Sequence, residues 1–148
     1  MTDFDVYYYG IPIVFALIVG EFIYSYIYKK DYYTKEDTLA SMGLLAGNVM
    51  VSVLTKGSIL LLYIYFYQFR LVTVNDLLPI WAVWALTFVV IDFVYYWYHR
   101  CSHRVRFLWA VHMNHHSSEE MNYVVSLRQA WFGPITKIPF FMFMPLVG

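Results

Sequence analysis

Three long apolar runs, each holding a single charge, constrain this chain more than any other feature. Val6 to Tyr28 is broken only by Glu21, Leu39 to Tyr67 only by Lys56, and Leu77 to Tyr98 only by Asp92. Each is long enough to cross a bilayer core of about 30 Å, which takes roughly 20 helical residues. A fourth apolar segment, 131–147, contains Pro134, Pro139 and Pro145. It makes a poor straight helix, because proline lacks the backbone donor and its ring clashes with the preceding turn.

Composition closes the alternatives. Of the 148 residues, 61% are hydrophobic and 14% charged, against about 25% charged in a typical soluble domain. Too few polar groups remain to cover the surface of an ordinary soluble enzyme, and the apolar content excludes a disordered tail. One cysteine excludes a disulfide scaffold. The prediction is an all-α fold, a polytopic transmembrane helical bundle. It forms one membrane-embedded domain over residues 1–148, with apolar segments at 6–28, 39–67, 77–98 and 131–147 and a polar stretch at 99–130.

The first run does not read as a secretory leader. Asp3 and Asp5 stand where a basic n-region belongs and no small-residue cleavage pattern follows, so a retained helix is expected. The second run exceeds one bilayer crossing. Its Lys56-Gly57 interruption predicts a tilted, broken or re-entrant helical pair, while Gly43 and Gly47, four apart, mark close helix packing. The third ends in Tyr95-Tyr96-Trp97-Tyr98, an aromatic cluster of the kind found at headgroup level.

Basic residues set the orientation. Lys29, Lys30 and Lys35 lie in the 29–37 loop, and Arg100, Arg104, Arg106 and Arg128 in the 99–130 stretch. The 68–76 loop holds only Arg70. The positive-inside rule then puts both basic regions on the cytosolic face, with the second run crossing once. Ten basic and ten acidic residues cancel, so no field draws in nucleic acid. Cys101 leaves the redox compartment open.

All five histidines fall between positions 99 and 116, as His99-Arg100-Cys101-Ser102-His103 and His112-Met113-Asn114-His115-His116. Residues three or four apart share a helix face. His99 and His103 can therefore point at one atom, and His112 can pair with His115 and His116. That is metal-ligand spacing presented twice. Imidazole suits iron, zinc, copper and nickel alike, so spacing alone does not choose the metal. Interfacial histidines that merely titrate near headgroups would explain one stray pair; two clusters holding every histidine favour metal binding. Cys101 is two residues from each histidine of its cluster and is expected to be inert.

The run DFVYYWYHRCSHRVRFLWAVHMNHHSSEEMNYVVSLRQ, residues 92–129, resembles the fatty acid hydroxylase (sterol desaturase) superfamily. The words HHSSEEMN and LRQ within it resemble the alkylglycerol monooxygenase-like branch, which cleaves ether lipids after hydroxylation. The resemblance implies a membrane-bound, non-haem di-iron enzyme that uses O2 on lipid C–H bonds. Its histidine boxes follow HxxxH, HxxHH and a second HxxHH. His99 and His103 match the first box, and His112, His115 and His116 the second. The third has no counterpart, because no histidine follows His116. On this resemblance the chain covers about the N-terminal half of a family member and is expected to be incomplete at Gly148. The complete enzyme would hold two iron ions, take a membrane lipid and O2, and draw electrons from a cytochrome, a flavoprotein or a reduced pterin. A homo-oligomer is left open.

Other residues are weighed against blander roles. Asp92 lies seven residues before His99 and Tyr96 three before it, on the same stripe. Asp92 is expected to orient a ligand histidine through its other ring nitrogen, the alternative being a pair with Arg100. Glu119 and Glu120 would add carboxylate ligands if one helix continued past His116. The better expectation is a capping box, with Ser117 as N-cap and Glu120 at N3. Asn122, Arg128 and Gln129 match the family's wording without an assigned role, and Arg128 fits a phosphate-headgroup contact as well as a site contact. Glu21 and Lys56 either pair or snorkel.

The expected chemistry is oxidation of a lipid C–H bond by histidine-held iron at the membrane surface, giving a hydroxylated or desaturated product. A rival from another class is a non-catalytic membrane metal-binding protein, or an inactive fragment of such an enzyme. A haem protein is weaker, since axial histidines usually come singly. A zinc hydrolase lacks a general base placed as in HExxH.

Overall fold

The computed structural model describes residues 6–148; Asp3 and Asp5, on which the reading of the first run rests, lie outside them. The helices are α1 (Val6–Ile27), α2 (Lys35–Tyr67), α3 (Val74–Leu77), α4 (Ile80–Ser102), α5 (Arg106–His112), α6 (Gly133–Phe141) and α7 (Met144–Val147). Two 3₁₀ turns, Met113–His116 and Tyr123–Leu127, complete the element order. No strand occurs among the described residues, so the fold is all-α.

Three of the helices, α1, α2 and α4, are long and apolar enough to span a membrane, and at most 6% of each one's apolar window is buried inside the protein. Leu54 is 73% and Phe88 75% exposed. In water each such side chain would forgo roughly 1.5–3 kcal/mol of burial, so these surfaces suit hydrocarbon. The protein is an integral membrane protein.

Local chemistry sets the helix ends. At the end of α1, Lys29 takes a positive φ of 49°. Its neighbour Lys30 donates N–H to the Ser25 carbonyl at 2.9 Å, and Lys29 donates to Tyr26 at 3.4 Å. This is a Schellman stop built without glycine. Thr34 caps α2 by accepting from the Asp37 N–H at 3.3 Å, and Glu36 and Asp37 put negative charge on the first turn.

The second apolar run is one continuous 33-residue helix, not the broken or re-entrant pair expected from Lys56-Gly57. A glycine inside a helix costs only about 1 kcal/mol, whereas opening the backbone in a bilayer strands several polar groups. At 1.5 Å per residue α2 is about 50 Å long, so it overshoots a bilayer core by several turns. The prolines of 131–147 act as expected: the segment breaks into α6 and α7 around Met142 and Phe143.

Both basic stretches lie at one end of the bundle. Asn122 donates to the Tyr32 carbonyl at 2.6 Å, Ser118 to the Asp37 carboxylate at 2.8 Å, and the Tyr123 N–H to Glu21 at 2.7 Å. At the other end the Leu71 N–H meets the Leu146 carbonyl at 2.8 Å. Glu21 also accepts from the Tyr33 hydroxyl at 2.5 Å. It therefore anchors α1 to the polar region and does not pair with Lys56, which forms no ion pair among the described residues.

Candidate metal centre

The first histidine box sits on the last turn of α4, where the helix leaves its apolar stretch. His99 and the C-cap residue His103 stack with ring centroids 4.9 Å apart, and their Nε2 atoms stand 2.9 Å apart. Buried Ser102 fixes this turn by donating to the Tyr98 carbonyl at 2.9 Å. The second box begins at the end of α5 and continues into the tighter 3₁₀ turn, Met113–His116. His112 and His116 bring their Nε2 atoms to 3.2 Å.

The two boxes meet. Ring nitrogens of His99, His103, His112 and His116 all lie within 4.8 Å of one another. Two imidazole nitrogens, each about 2.1 Å from one ion and at right angles, stand about 3 Å apart. The Nε2 separations match that spacing, so the donor set fits a metal ion. Burial pushes the His112 imidazolium down to about 4, helped by the positive charge that His99, His116, His103 and His115 would carry. His116 is lowered for the same reasons, burial first. Near neutral pH His112 therefore offers a lone pair.

His115 is the exception. Its Nδ1 lies 3.2 Å from the Arg128 carbonyl, and its ring stays 5.2 Å from that of His116. A carbonyl only accepts, so this contact makes Nδ1 the protonated nitrogen and leaves the lone pair on Nε2. His115 joins His99 and His112 in the wall of a cavity of about 380 Å³, whose far side is formed by Asn48 and Ser52 of α2 and Lys137 of α6.

Several expected partners are elsewhere. Asp92 is exposed and makes no hydrogen bond to a histidine, nor to Arg100. Seven residues carry it about 10 Å down the helix axis, beyond the reach of a short carboxylate. Tyr96 accepts from Arg100 at 2.8 Å and makes no hydrogen bond to a histidine, though it lines one hollow with Asp92 and His99. The tyrosine edge-on to His99, at 6.3 Å, is Tyr95, one full turn earlier, so i,i+4 spacing would have found it. Trp109 was also missed. Its ring lies 5.9 Å from His116 and 5.5 Å from His103, and it sits three residues before His112 on the same helix face.

The stretch after His116 does not form the expected capping box. Ser117 donates to the Asn114 carbonyl at 2.8 Å, and the next helical turn starts only at Tyr123, capped by the Asn122 side chain on Val125 N–H at 3.2 Å. Glu119 is exposed over a groove shared with Thr34 and Glu36, and no carboxylate joins the histidine group among the described residues. Arg128 is no headgroup contact. Only 2% exposed, it pairs with Asp37 at 2.6 Å and donates to Ser41 at 3.2 Å and Ser117 at 2.8 Å.

The first turns of α2 hold the far side of the site. Asn48 donates to the Ala130 carbonyl at 2.7 Å, and the Trp131 indole N–H to the Gly43 carbonyl at 3.3 Å. A Cβ on Gly47 would come within 2.0 Å of the indole. Gly47 thus admits Trp131 rather than another helix, while a Cβ on Gly43 would meet nothing within 4 Å.

Comparison with known proteins assigns this arrangement. Residues 84–148, which include both boxes, match the family described as fatty acid hydroxylase. Over that stretch the chain is similar to the fatty acid hydroxylase family. It is 36% identical over 118 residues to an alkylglycerol monooxygenase of Xenopus tropicalis, covering 79% of this chain and 26% of that protein. The Homo sapiens alkylglycerol monooxygenase is 35% identical over 121 residues, 80% of this chain and 27% of its own length. That of Danio rerio is 49% identical over 47 residues, 32% of this chain and 10% of its own length. The chain thus spans about a quarter of the length of these curated relatives, less than the half expected from the boxes. No solved structure matches it. Iron is typical of the family, and the four converging imidazoles are a donor set that suits it.

Proposed function

We propose that this chain carries the histidine core of a membrane enzyme that uses O2 to hydroxylate a lipid C–H bond, with an ether lipid as substrate. The substrate class follows the name of the relatives, alkylglycerol monooxygenase. One observation carries the reading: His99 and His103 from α4 and His112 and His116 from the α5 end converge on one point. Iron bound there would supply the oxidative chemistry that no side chain provides at an unactivated C–H bond.

The chain's own residues do the rest. His112, kept neutral by burial, presents a lone pair without first losing a proton. Trp109 packs against His103 and His116 and helps fix their ring orientation. His115, with its lone pair on Nε2 and its ring in the cavity wall, would be available to a second ion. The cavity admits the reacting part of the lipid beside His99 and His112. Its position just past the aromatic end of α4 lets the alkyl tail stay in hydrocarbon. Electrons come from an external donor: a cytochrome, a flavoprotein or a reduced pterin. Both basic stretches share the histidine end, which supports a cytosolic site.

Iron(II) titration of the detergent-purified chain tests this. We expect a single tight site per chain, lost in His112→Ala and retained but altered in His115→Ala. No binding by the parent chain would overturn the proposal. The rival, a membrane metal-binding protein without turnover, draws on the absence of a carboxylate ligand among the described residues. It predicts bound iron but no O2-dependent lipid product.

A further inference from the structure

The second histidine box is not held by its own helix. The 3₁₀ turn ends at His116, and residues 117–122 form no helix. What fixes the box comes from a residue twelve positions later. The Arg128 guanidinium donates through Nη1 to the Ser117 hydroxyl at 2.8 Å, and that hydroxyl donates onward to the Asn114 carbonyl, inside the box, at 2.8 Å. Through Nη2 it meets the Asp37 carboxylate at 2.6 Å and the Asp37 carbonyl at 3.2 Å, and through Nε the Ser41 hydroxyl at 3.2 Å. The backbone carbonyl of the same residue accepts from His115 Nδ1 at 3.2 Å. Arg128 therefore reaches the box directly through its carbonyl and by way of Ser117 through its guanidinium, while being tied to the first turns of α2.

We propose that Arg128, seated on Asp37, is a positioning residue that sets the backbone path of the second histidine box and the tautomer and orientation of His115. This rests on the reading of the histidines as metal ligands. Burying an arginine with its carboxylate adds little stability over well-packed apolar residues, so mere cohesion does not account for it. What arginine adds is direction: its donors lie in one rigid plane, and here they reach α2 and the box together. Ser118, which donates to the other Asp37 oxygen at 2.8 Å, adds a second strand to the same tie. The sequence hides the arrangement, since Asp37 and Arg128 lie 91 residues apart.

Two variants of the detergent-purified chain test it. Ser117→Ala removes an exposed hydroxyl that links the guanidinium to the box and leaves the Arg128–Asp37 pair intact. Arg128→Lys keeps the charge and the backbone carbonyl but not the planar fork. Cobalt(II) is the probe, read by affinity and by its visible ligand-field bands. Partners that orient metal-binding histidines typically contribute 10–100-fold in affinity, and we expect a loss of roughly that size in Arg128→Lys and about 10-fold in Ser117→Ala. Both should show altered bands, with helix content and metal-free Tm near those of the parent. Parent-like affinity and bands in both variants would overturn the proposal. Should the parent chain bind no cobalt, the proposed function fails, and the positioning role is still decided by ¹⁵N-histidine NMR of the metal-free chain. Nδ1-protonated His115 in the parent, scrambled in Arg128→Lys, supports it; an unchanged tautomer sinks it.

Discussion

His112 shows how far single residues carry the site's behaviour. Its value of about 4 in the folded chain lies below the 6.5 of a free imidazole, chiefly through burial. Between those two values the unfolded chain binds more protons than the folded one, so stability rises with pH there. This contribution is fully present above about 6.5 and is lost as pH falls through about 4. The Tm of the metal-free chain in detergent should therefore drop on acidification across that window. His112→Ala should flatten the drop, and an equally steep drop in the variant would assign it to other groups. Spacing in the sequence was enough to nominate His99, His103, His112 and His116, because i,i+4 pairs meet whatever the tertiary context. It put Asp92 and Tyr96 on one stripe with His99, and the three line one hollow, but the rise along the axis keeps Asp92 from bonding the imidazole. Spacing could not turn His115 aside, because the carbonyl that holds it arrives from Arg128.

Among the elements, α2 decides the architecture, being both a membrane span and the post on which the polar region is mounted. Lys56-Gly57 looked like a break, yet nothing there outweighs the hydrogen bonds a bilayer obliges a helix to keep. The expected capping box at Ser117 failed for the opposite reason. Its Ser117 hydroxyl is claimed by the Asn114 carbonyl and by the distant Arg128, and a local signature cannot register that. Two glycines of α2 make the division of labour testable. Gly57 has nothing within 4 Å of a Cβ, whereas Gly47 meets the Trp131 indole at 2.0 Å. Gly57→Ala should stabilise by about 0.5–1 kcal/mol through helix propensity alone. Gly47→Ala gains the same propensity but must expel the indole and its bond to Gly43, an overpacking cost of about 1–3 kcal/mol. Thermal unfolding should thus move in opposite directions for the two, with Trp131 fluorescence shifting only in Gly47→Ala. A rise in Tm for both would show that the indole is not held against α2.

For the whole molecule the sequence was most informative, since apolar runs of this length permit few architectures and the structure returns three helices fit to span. The order of contacts adds what periodicity could not. The loop after α1 and the histidine region meet at one end, and the loop after α2 meets α7 at the other. The bundle thus sorts its charge, with Lys29, Lys30, Arg100, Arg104 and Arg106 at the histidine end and Arg70 at the opposite one. Short loops rich in Lys and Arg stay on the cytosolic side, so the histidine site should face the cytosol. In a Cys101→Ser background, Lys30→Cys and Arg104→Cys should both be shielded from an impermeant maleimide added outside intact cells and react after permeabilisation. Asn75→Cys, in α3 at the other end, should react without permeabilisation. Labelling of Lys30→Cys and Arg104→Cys on opposite sides would contradict the fold. Labelling of both from outside would keep the fold and reverse its orientation, moving the histidine site out of the cytosol.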